Sequence, residues 1–447
     1  MSVPRIMLVP THTTGLANAL AAAVSEIATA QGQRVRYHHL GPLTAMSAWD
    51  RWEGAAFLDP SLYDEQSLIA LYDVATRGAQ LSLLSTSVGI LDTRTGADWS
   101  PAGVAALLDC PVVVVLDCRG WGAGIRVLLA GLRAELTGVN LAGVILTGLA
   151  DVEHCDELRA VMRTQGIPVL GCLLQGGGPG WETTAPGPWG LPLQKEVLEA
   201  VARQVDLGEL QTLAGQRGFL SPQTWLTDRG AGGPLVAVAG GRGFTQWSRD
   251  SIEVLRSAGE RVQRLDLLED KALPSEASGL VLAGTVWPAA LTELAANESL
   301  LIDIRRLVQQ GLPTIALGGG MLYLLETVQD SLGRTAQLAG VLPGQGEILW
   351  DLEAPVYVQV TAQRDNLLLL AGERLTGWVG TEVEIATLSQ DESAPFLVRP
   401  AATKDEVNEG VMSENLLCSR TFVHLAGSSD RAERFVRRCA RYVRQHE

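Results

Sequence analysis

The sequence predicts an α/β protein, with a doubly wound parallel sheet in a first domain and a second α/β domain after it. Three observations carry that expectation. Short apolar runs alternate with helical stretches, as βαβ units require. Residues 111–116 (PVVVVL) are a near-continuous valine run, which suits a strand buried on both faces of a parallel sheet. After a stretch rich in Gly, Pro, Ser and Thr at 215–234, the alternation begins again. The expected domains are 1–214 and 235–447, joined by a linker at 215–234.

Residues 5–10 (RIMLVP) are apolar enough for a first strand, and alanine-rich 16–31 makes a helix that Gly32 stops. A strand at 35–39 follows, then turn-rich 49–63 with Trp49, Trp52 and Phe57. A helix at 66–77 ends at Gly78, 80–88 is a strand and 89–98 a loop. Helices at 101–108, 125–136 and 155–165 alternate with strands at 111–116, 141–147 and 169–173. Glycine and proline make 176–190 a loop, and helices at 193–203 and 206–214 close the domain. In the second domain, strands at 235–239, 261–265 and 279–283 alternate with helices at 247–258, 289–296 and 299–310. A strand at 314–317 runs into Gly318, Gly319 and Gly320, and 321–327 has helical spacing. The remainder is strand-rich, at 356–360, 367–370, 379–388, 396–399, 408–412 and 416–424, before an arginine-rich helix at 430–445.

The chain has 447 residues, 47% hydrophobic and 19% charged, which is ordinary for a globular protein. A net charge of −15 without a basic run argues against nucleic acid as a partner. No apolar run approaches the ~20 residues of a membrane span, and the first residues lack the features of a signal peptide, so a cytoplasmic protein is expected. The six cysteines form no CxxC and no zinc-like spacing with histidine, so no metal site is expected. Cys110, Cys118 and Cys172 lie in apolar runs and read as small core residues, which fits a reducing compartment. Lys195, Lys271 and Lys404 are the only lysines, so the first 194 residues contain none to hold a phosphate.

A strand, a glycine turn and a helix, as at 314–324, have the shape of a nucleophile elbow, which presents one side chain beside backbone N–H groups. The residue at the tip is Gly318, which has no side chain to attack with.

Several strings in order resemble the cobyrinate a,c-diamide synthase family of ATP-dependent glutamine amidotransferases. They are VLDCRG (115–120), LAGVILTGL (141–149), GIPVLGCL (166–173), EDKALPSEASGLVLAG (269–284), LAGVLPG (338–344) and NLLCSRTFVHLAGS (415–428). The resemblance implies a P-loop-NTPase-like domain followed by a class I glutamine-amidotransferase-like domain, and a homodimer. It also implies three sites, and this sequence departs from the family at each.

The family's phosphate loop closes in Gly-Lys-Thr, where lysine neutralises phosphate and the hydroxyl holds magnesium. Here Thr11 and His12 match the family, Thr13 and Gly15 follow, Leu16 replaces a glycine, Ala17 the lysine and Asn18 the hydroxyl residue. A backbone nest and helix dipole at this turn could still hold a small anion. The family's acid before its next glycine loop is Ser85 here, although Asp92 remains. The family's glutaminase cysteine is Gly318, and its paired histidines in a later loop are Thr381 and Glu384. His424 matches the family's base. The resemblance leaves Thr11, His12, Thr13, Gly15, Asn18 and Asp92 as remnants of a nucleotide site, without a catalytic set.

Three functions are compatible with these residues. One is a non-catalytic homologue that needs no cofactor and binds a tetrapyrrole, another small molecule or a protein. Ten tryptophans (Trp99, Trp121, Trp181, Trp189, Trp247, Trp287, Trp350 and Trp378 besides the two named above) lie mainly in expected loops; they suit packing on a flat ligand or partner, or simply fill vacated space. The second is an ammonia-using amidotransferase of cobalamin biosynthesis that needs ATP and magnesium, with Arg119 or Arg126 on phosphate. The third is a different enzyme using His12, Asp92, Asp117 or His424.

Overall fold

The structure, a computed structural model, describes residues 3–41, 55–174, 195–216, 218, 220, 232–241, 243–244, 249–349, 355–380, 383–385, 394–401, 403, 405–426 and 428–446. The expected loop at 176–190, most of the 215–234 linker, and Trp49, Trp52, Trp181, Trp189, Trp247 and Trp350 lie outside the described residues. The chain divides into two compact units, one taking residues up to Gly41, Gly54–Pro60 and Leu68–Gln223, the other the remainder.

In the first unit, β1 (Arg5–Pro10), β2 (Val35–Leu40), β3 (Ala55–Leu58), β4 (Leu81–Ser85), β5 (Val112–Asp117), β6 (Leu141–Leu149) and β7 (Val169–Leu174) form one sheet. Its order is β3-β2-β4-β1-β5-β6-β7, with every pairing parallel. The helices between them are α1 (Leu16–Ala30), α2 (Glu65–Ala75), α3 (Pro101–Leu107), α4 (Arg126–Glu135) and α5 (Val152–Thr164), followed by α6 (Lys195–Gln204) and α7 (Leu207–Ala214). Val112, Val113 and Val114 are wholly buried, as the valine run predicts. The small side chains of α1 let it lie close on the sheet, and its buried alanines face it. Ser100 and Asp151 cap α3 and α5 by accepting the backbone N–H of Gly103 and His154.

This sheet confirms the doubly wound class. The sequence reading misplaced one strand here, because β3 lies inside the stretch expected to be turns. Its four residues, AAFL, are too short for periodicity to declare.

The second unit begins with β8 (Leu235–Gly240), α8 (Arg249–Ser257), β9 (Arg261–Asp266), β10 (Ala277–Gly284), α9 (Leu291–Ala296), α10 (Glu298–Gln309), β11 (Thr314–Gly318) and α11 (Gly319–Leu324). A ladder of β12 (Leu325–Asp330), β13 (Thr335–Gln337) and β14 (Leu342–Ile348) follows, then β15 (Val356–Ala362), β16 (Arg374–Val379), β17 (Val383–Ile385), β18 (Phe396–Pro400), β19 (Val407–Glu409), β20 (Val411–Met412), β21 (Leu416–Ser419) and β22 (Thr421–Phe422). α12 (Ser429–His446) ends the chain.

Six strands make a sheet of order β20-β21-β11-β10-β8-β9, parallel except for the short β20. Sheets of four (β13-β12-β14-β17) and five strands (β19-β18-β15-β16-β22) complete the unit.

Two expectations fail in this unit. The helix after the glycines stops at Leu324, and Leu325–Thr327 are strand. Residues 367–370 are bent, irregular backbone rather than a strand, and Asn366 Oδ1 accepts the N–H groups of Leu368 and Leu369 there.

Among the described residues, no helix is long and apolar enough to cross a membrane.

Candidate functional site

The connection from β1 leads to one side of the first sheet and that from β5 to the other, so their adjacent carboxyl ends flank a reversal of strand order. Open α/β sheets bind ligands at such a reversal. The fold brings Thr11, His12, Ser85, Asp92 and Asp117 to this edge, at the ends of β1, β4 and β5. Ser85 pairs in register with Leu8 of β1.

Asn18 and Ser85, which the resemblance aligns with the family's magnesium residues, are bonded to each other. Ser85 Oγ donates to Asn18 Oδ1 at 2.6 Å, and Tyr37 Oη lies 2.5 Å from the same hydroxyl. With the Ser85 proton on Asn18, Tyr37 is the donor of the second bond. Asn18 is 2% exposed and Ser85 0%. Burial raises the Tyr37 pKa strongly, against a smaller lowering by Ser85, so the phenol stays neutral. The group is uncharged, enclosed and internally bonded, whereas magnesium takes oxygen ligands that usually include a carboxylate. Ala17, where the lysine would stand, is wholly buried.

No residue from 11 to 18 has positive φ, so the alternating right- and left-handed backbone of an anion nest is absent from this turn. The stretch is a plain strand-to-helix turn. Residues 11–18, 37 and 85 do not fit a magnesium nucleotide.

The other titratable residues are also engaged or exposed. His12 is exposed, with Nδ1 3.3 Å from Thr11 Oγ1. The Asp92 carboxylate folds over Gly89, where an added Cβ would meet Oδ2 at 2.2 Å. Asp117 holds Arg119, whose Nε is 3.0 Å from both carboxylate oxygens. Partial burial acts to raise the Asp117 pKa, but the Arg119 hydrogen bonds and charge, with His12, outweigh it and hold the carboxyl below its usual range. Arg126 Nε donates to the carbonyl of Ala123. Among the described residues, no cluster of three or more His, Cys, Asp or Glu is placed to hold a metal ion.

The elbow keeps its shape in the second unit. Gly318 has φ 59° and ψ −124°, a conformation largely confined to glycine. A Cβ on Gly318 would lie 3.0 Å from the Gly284 carbonyl and 3.1 Å from Phe422 Cε2. Phe422 itself stacks on Trp378, with ring centroids 4.4 Å apart and parallel planes. An apolar pair therefore borders the position from which a cysteine would attack.

His424 is buried nearby in sequence, two residues after Phe422, and both ring nitrogens are occupied. Nδ1 accepts the Ala426 N–H at 2.9 Å, so Nε2 carries the proton and donates to Asp250 Oδ2 at 2.9 Å. The Tyr63 ring, which groups with this unit, lies 5.1 Å from the imidazole. A general base needs a lone pair directed at the proton it removes, and this tautomer has neither nitrogen to offer.

Sequence reasoning located Asn18, Ser85, Gly318 and His424, and missed Tyr37, Asp250 and Phe422. No spacing joins Asp250 to His424, which are 174 residues apart. Trp378, expected in a loop, is in β16 and nearly buried.

Residues 236–431 match the CobB/CobQ-like glutamine amidotransferase domain, which sets the class of the second unit. Over 406 residues the chain is 30% identical to hydrogenobyrinate a,c-diamide synthase of Mycobacterium bovis, covering 86% of each chain. It is 26% identical over 429 residues to cobyrinate a,c-diamide synthase of Caldanaerobacter subterraneus, covering 92% of this chain and 93% of that one. The chain belongs to the cobyrinate a,c-diamide synthase family.

Proposed function

We propose that this protein is a non-catalytic member of its family, which keeps the two-unit body and acts by binding. The observation that carries this reading is the buried Asn18–Ser85–Tyr37 network, in which the residues at the magnesium positions satisfy one another. The second unit supports it through Gly318, the Phe422–Trp378 stack and the committed tautomer of His424. The ligand class we favour is a carboxylated tetrapyrrole, since relatives are named for (hydrogeno)cobyrinate, with another small molecule or a protein as alternatives. A cytoplasmic homodimer that needs no cofactor is part of the proposal.

Thermal-shift measurements with ATP–magnesium, glutamine and corrinoid or porphyrin carboxylates test it, together with assay of ammonia release from glutamine. The expected result is no ammonia, no shift with nucleotide and a shift with a tetrapyrrole. A nucleotide shift would favour the second reading, an ATP-dependent ligase using free ammonia, which the names of the relatives keep in view. That reading needs Arg119 or Arg126 to leave its present partner.

A further inference from the structure

Four of the six cysteines are shut away. Burial raises the thiol of Cys110 and of Cys418, pushes Cys118 up to about 12, and holds Cys439 well above the ordinary value. All four are buried and unbonded to each other. Such thiols stay protonated and inert.

The remaining two are arranged differently. Cys155 on α5 and Cys172 on β7 are joined as a disulfide, with Cα atoms 6.3 Å apart, inside the span that disulfide geometry allows. Cys172 is buried, as its apolar run predicts, but it is bonded rather than a free thiol. Arg159, one helical turn after Cys155, donates Nε to Cys172 Sγ at 3.1 Å, and its own side chain reaches solvent. A cation beside a sulfur stabilises the thiolate, which is the attacking species in thiol–disulfide exchange. β7 is the edge strand of the first sheet, so the bond fastens α5 to that edge.

We propose that Cys155 and Cys172, with Arg159, form a reversible thiol–disulfide site that responds to low-molecular-weight disulfides and dithiols. The oxidant is a small disulfide, RSSR. The Cys172 thiolate attacks one of its sulfurs, forming a mixed disulfide and expelling RS⁻. The Cys155 thiolate then attacks the Cys172 sulfur and expels the second RS⁻. The sum is two cysteine thiols plus RSSR giving one protein disulfide and two RSH. A dithiol runs the same exchange backwards. Oxidation closes a 17-residue separation and braces the sheet edge; reduction releases α5 from β7.

The test uses the full-length protein equilibrated in glutathione–glutathione disulfide mixtures, quenched in acid, alkylated in denaturant and mapped by mass spectrometry. Cys155 and Cys172 should lose their label together as the buffer becomes oxidising, while the other four keep it throughout. The oxidised form should melt at a higher temperature than the reduced form. Arg159→Gln should slow oxidation of the reduced protein at neutral pH severalfold, and Arg159→Lys should restore much of the rate. Persistence of both labels in the most oxidising buffer overturns the proposal. So does a bond that excess dithiothreitol leaves intact in the folded protein. An unchanged rate in Arg159→Gln removes the guanidinium from the site. Because the redox series uses the unaltered chain, these outcomes do not depend on a variant folding.

Discussion

Ser85, which stands where the resemblance places an acid, is tied on both sides by Asn18 and Tyr37. Truncation by Ser85→Ala leaves Asn18 and Tyr37 buried with one partner fewer each. Removing a hydrogen bond from buried polar groups costs on the order of 1 kcal/mol each, so the variant should unfold at lower denaturant concentration without a change in slope. A midpoint equal to wild type would show that the network does not hold the fold. Glu260 is a second residue whose chemistry is set by enclosure. It is 2% exposed, and burial raises its pKa well above the ordinary value, opposed by a weak interaction with Cys439. The folded state therefore favours the protonated acid. That contribution is complete below the unfolded pKa and is lost as pH rises towards the folded one, at about 1.4 kcal/mol per pH unit. Glu260→Gln should remove this slope, matching wild type near pH 4 and exceeding its melting temperature at pH 8. Equal melting temperatures at pH 8 would count against a neutral Glu260.

The glycines after β11 show what an element needs beyond its period. Added Cβ atoms would meet the Val286 nitrogen at 2.4 Å from Gly319 and the Leu282 carbonyl at 1.6 Å from Gly320. Both contacts are with backbone, which cannot swing aside as a side chain can. Gly320→Ala should therefore cost about 3 kcal/mol or more, at the upper end for overpacking, and a soluble, equally stable Gly320→Ala protein would contradict this packing. The strand–glycine–helix pattern was readable in the sequence because Thr314–Leu317 is apolar and the glycine run is unmistakable. The end of α11 was not, since Leu322–Leu325 is apolar in either period and the switch to β12 comes from parallel pairing with β14. β3 was hidden by its length. The site divides in the same way: the departures from the family's residues at Ala17, Ser85 and Gly318 can be read from the sequence, whereas Tyr37, Asp250 and Phe422 matter only through contacts that no local spacing encodes.

For the molecule as a whole, the question is whether it retains any means of taking up the family's reactants. A ligand at a hundred times its Kd stabilises a folded protein by about 2.7 kcal/mol, and in a domain of this size each kcal/mol moves the melting temperature by about 2–4 °C. Saturating ATP–magnesium on an intact nucleotide site would thus give a shift of roughly 5–10 °C. With Asn18, Ser85 and Tyr37 closed on one another, the expected shift is within error of zero. On the proposed reading, a cysteine introduced at Gly318 alone should not give the second unit glutaminase activity either. In Gly318→Cys the new side chain meets Phe422 and the Gly284 carbonyl, on a backbone that suits glycine. His424 meanwhile keeps its proton on the nitrogen facing Asp250. Ammonia release from glutamine should stay at background in Gly318→Cys, and adding Phe422→Ala should relieve the crowding without supplying a base. Turnover in the single variant would mean that the tautomer of His424 exchanges readily, and that the cysteine alone, rather than its surroundings, separates this unit from a glutaminase.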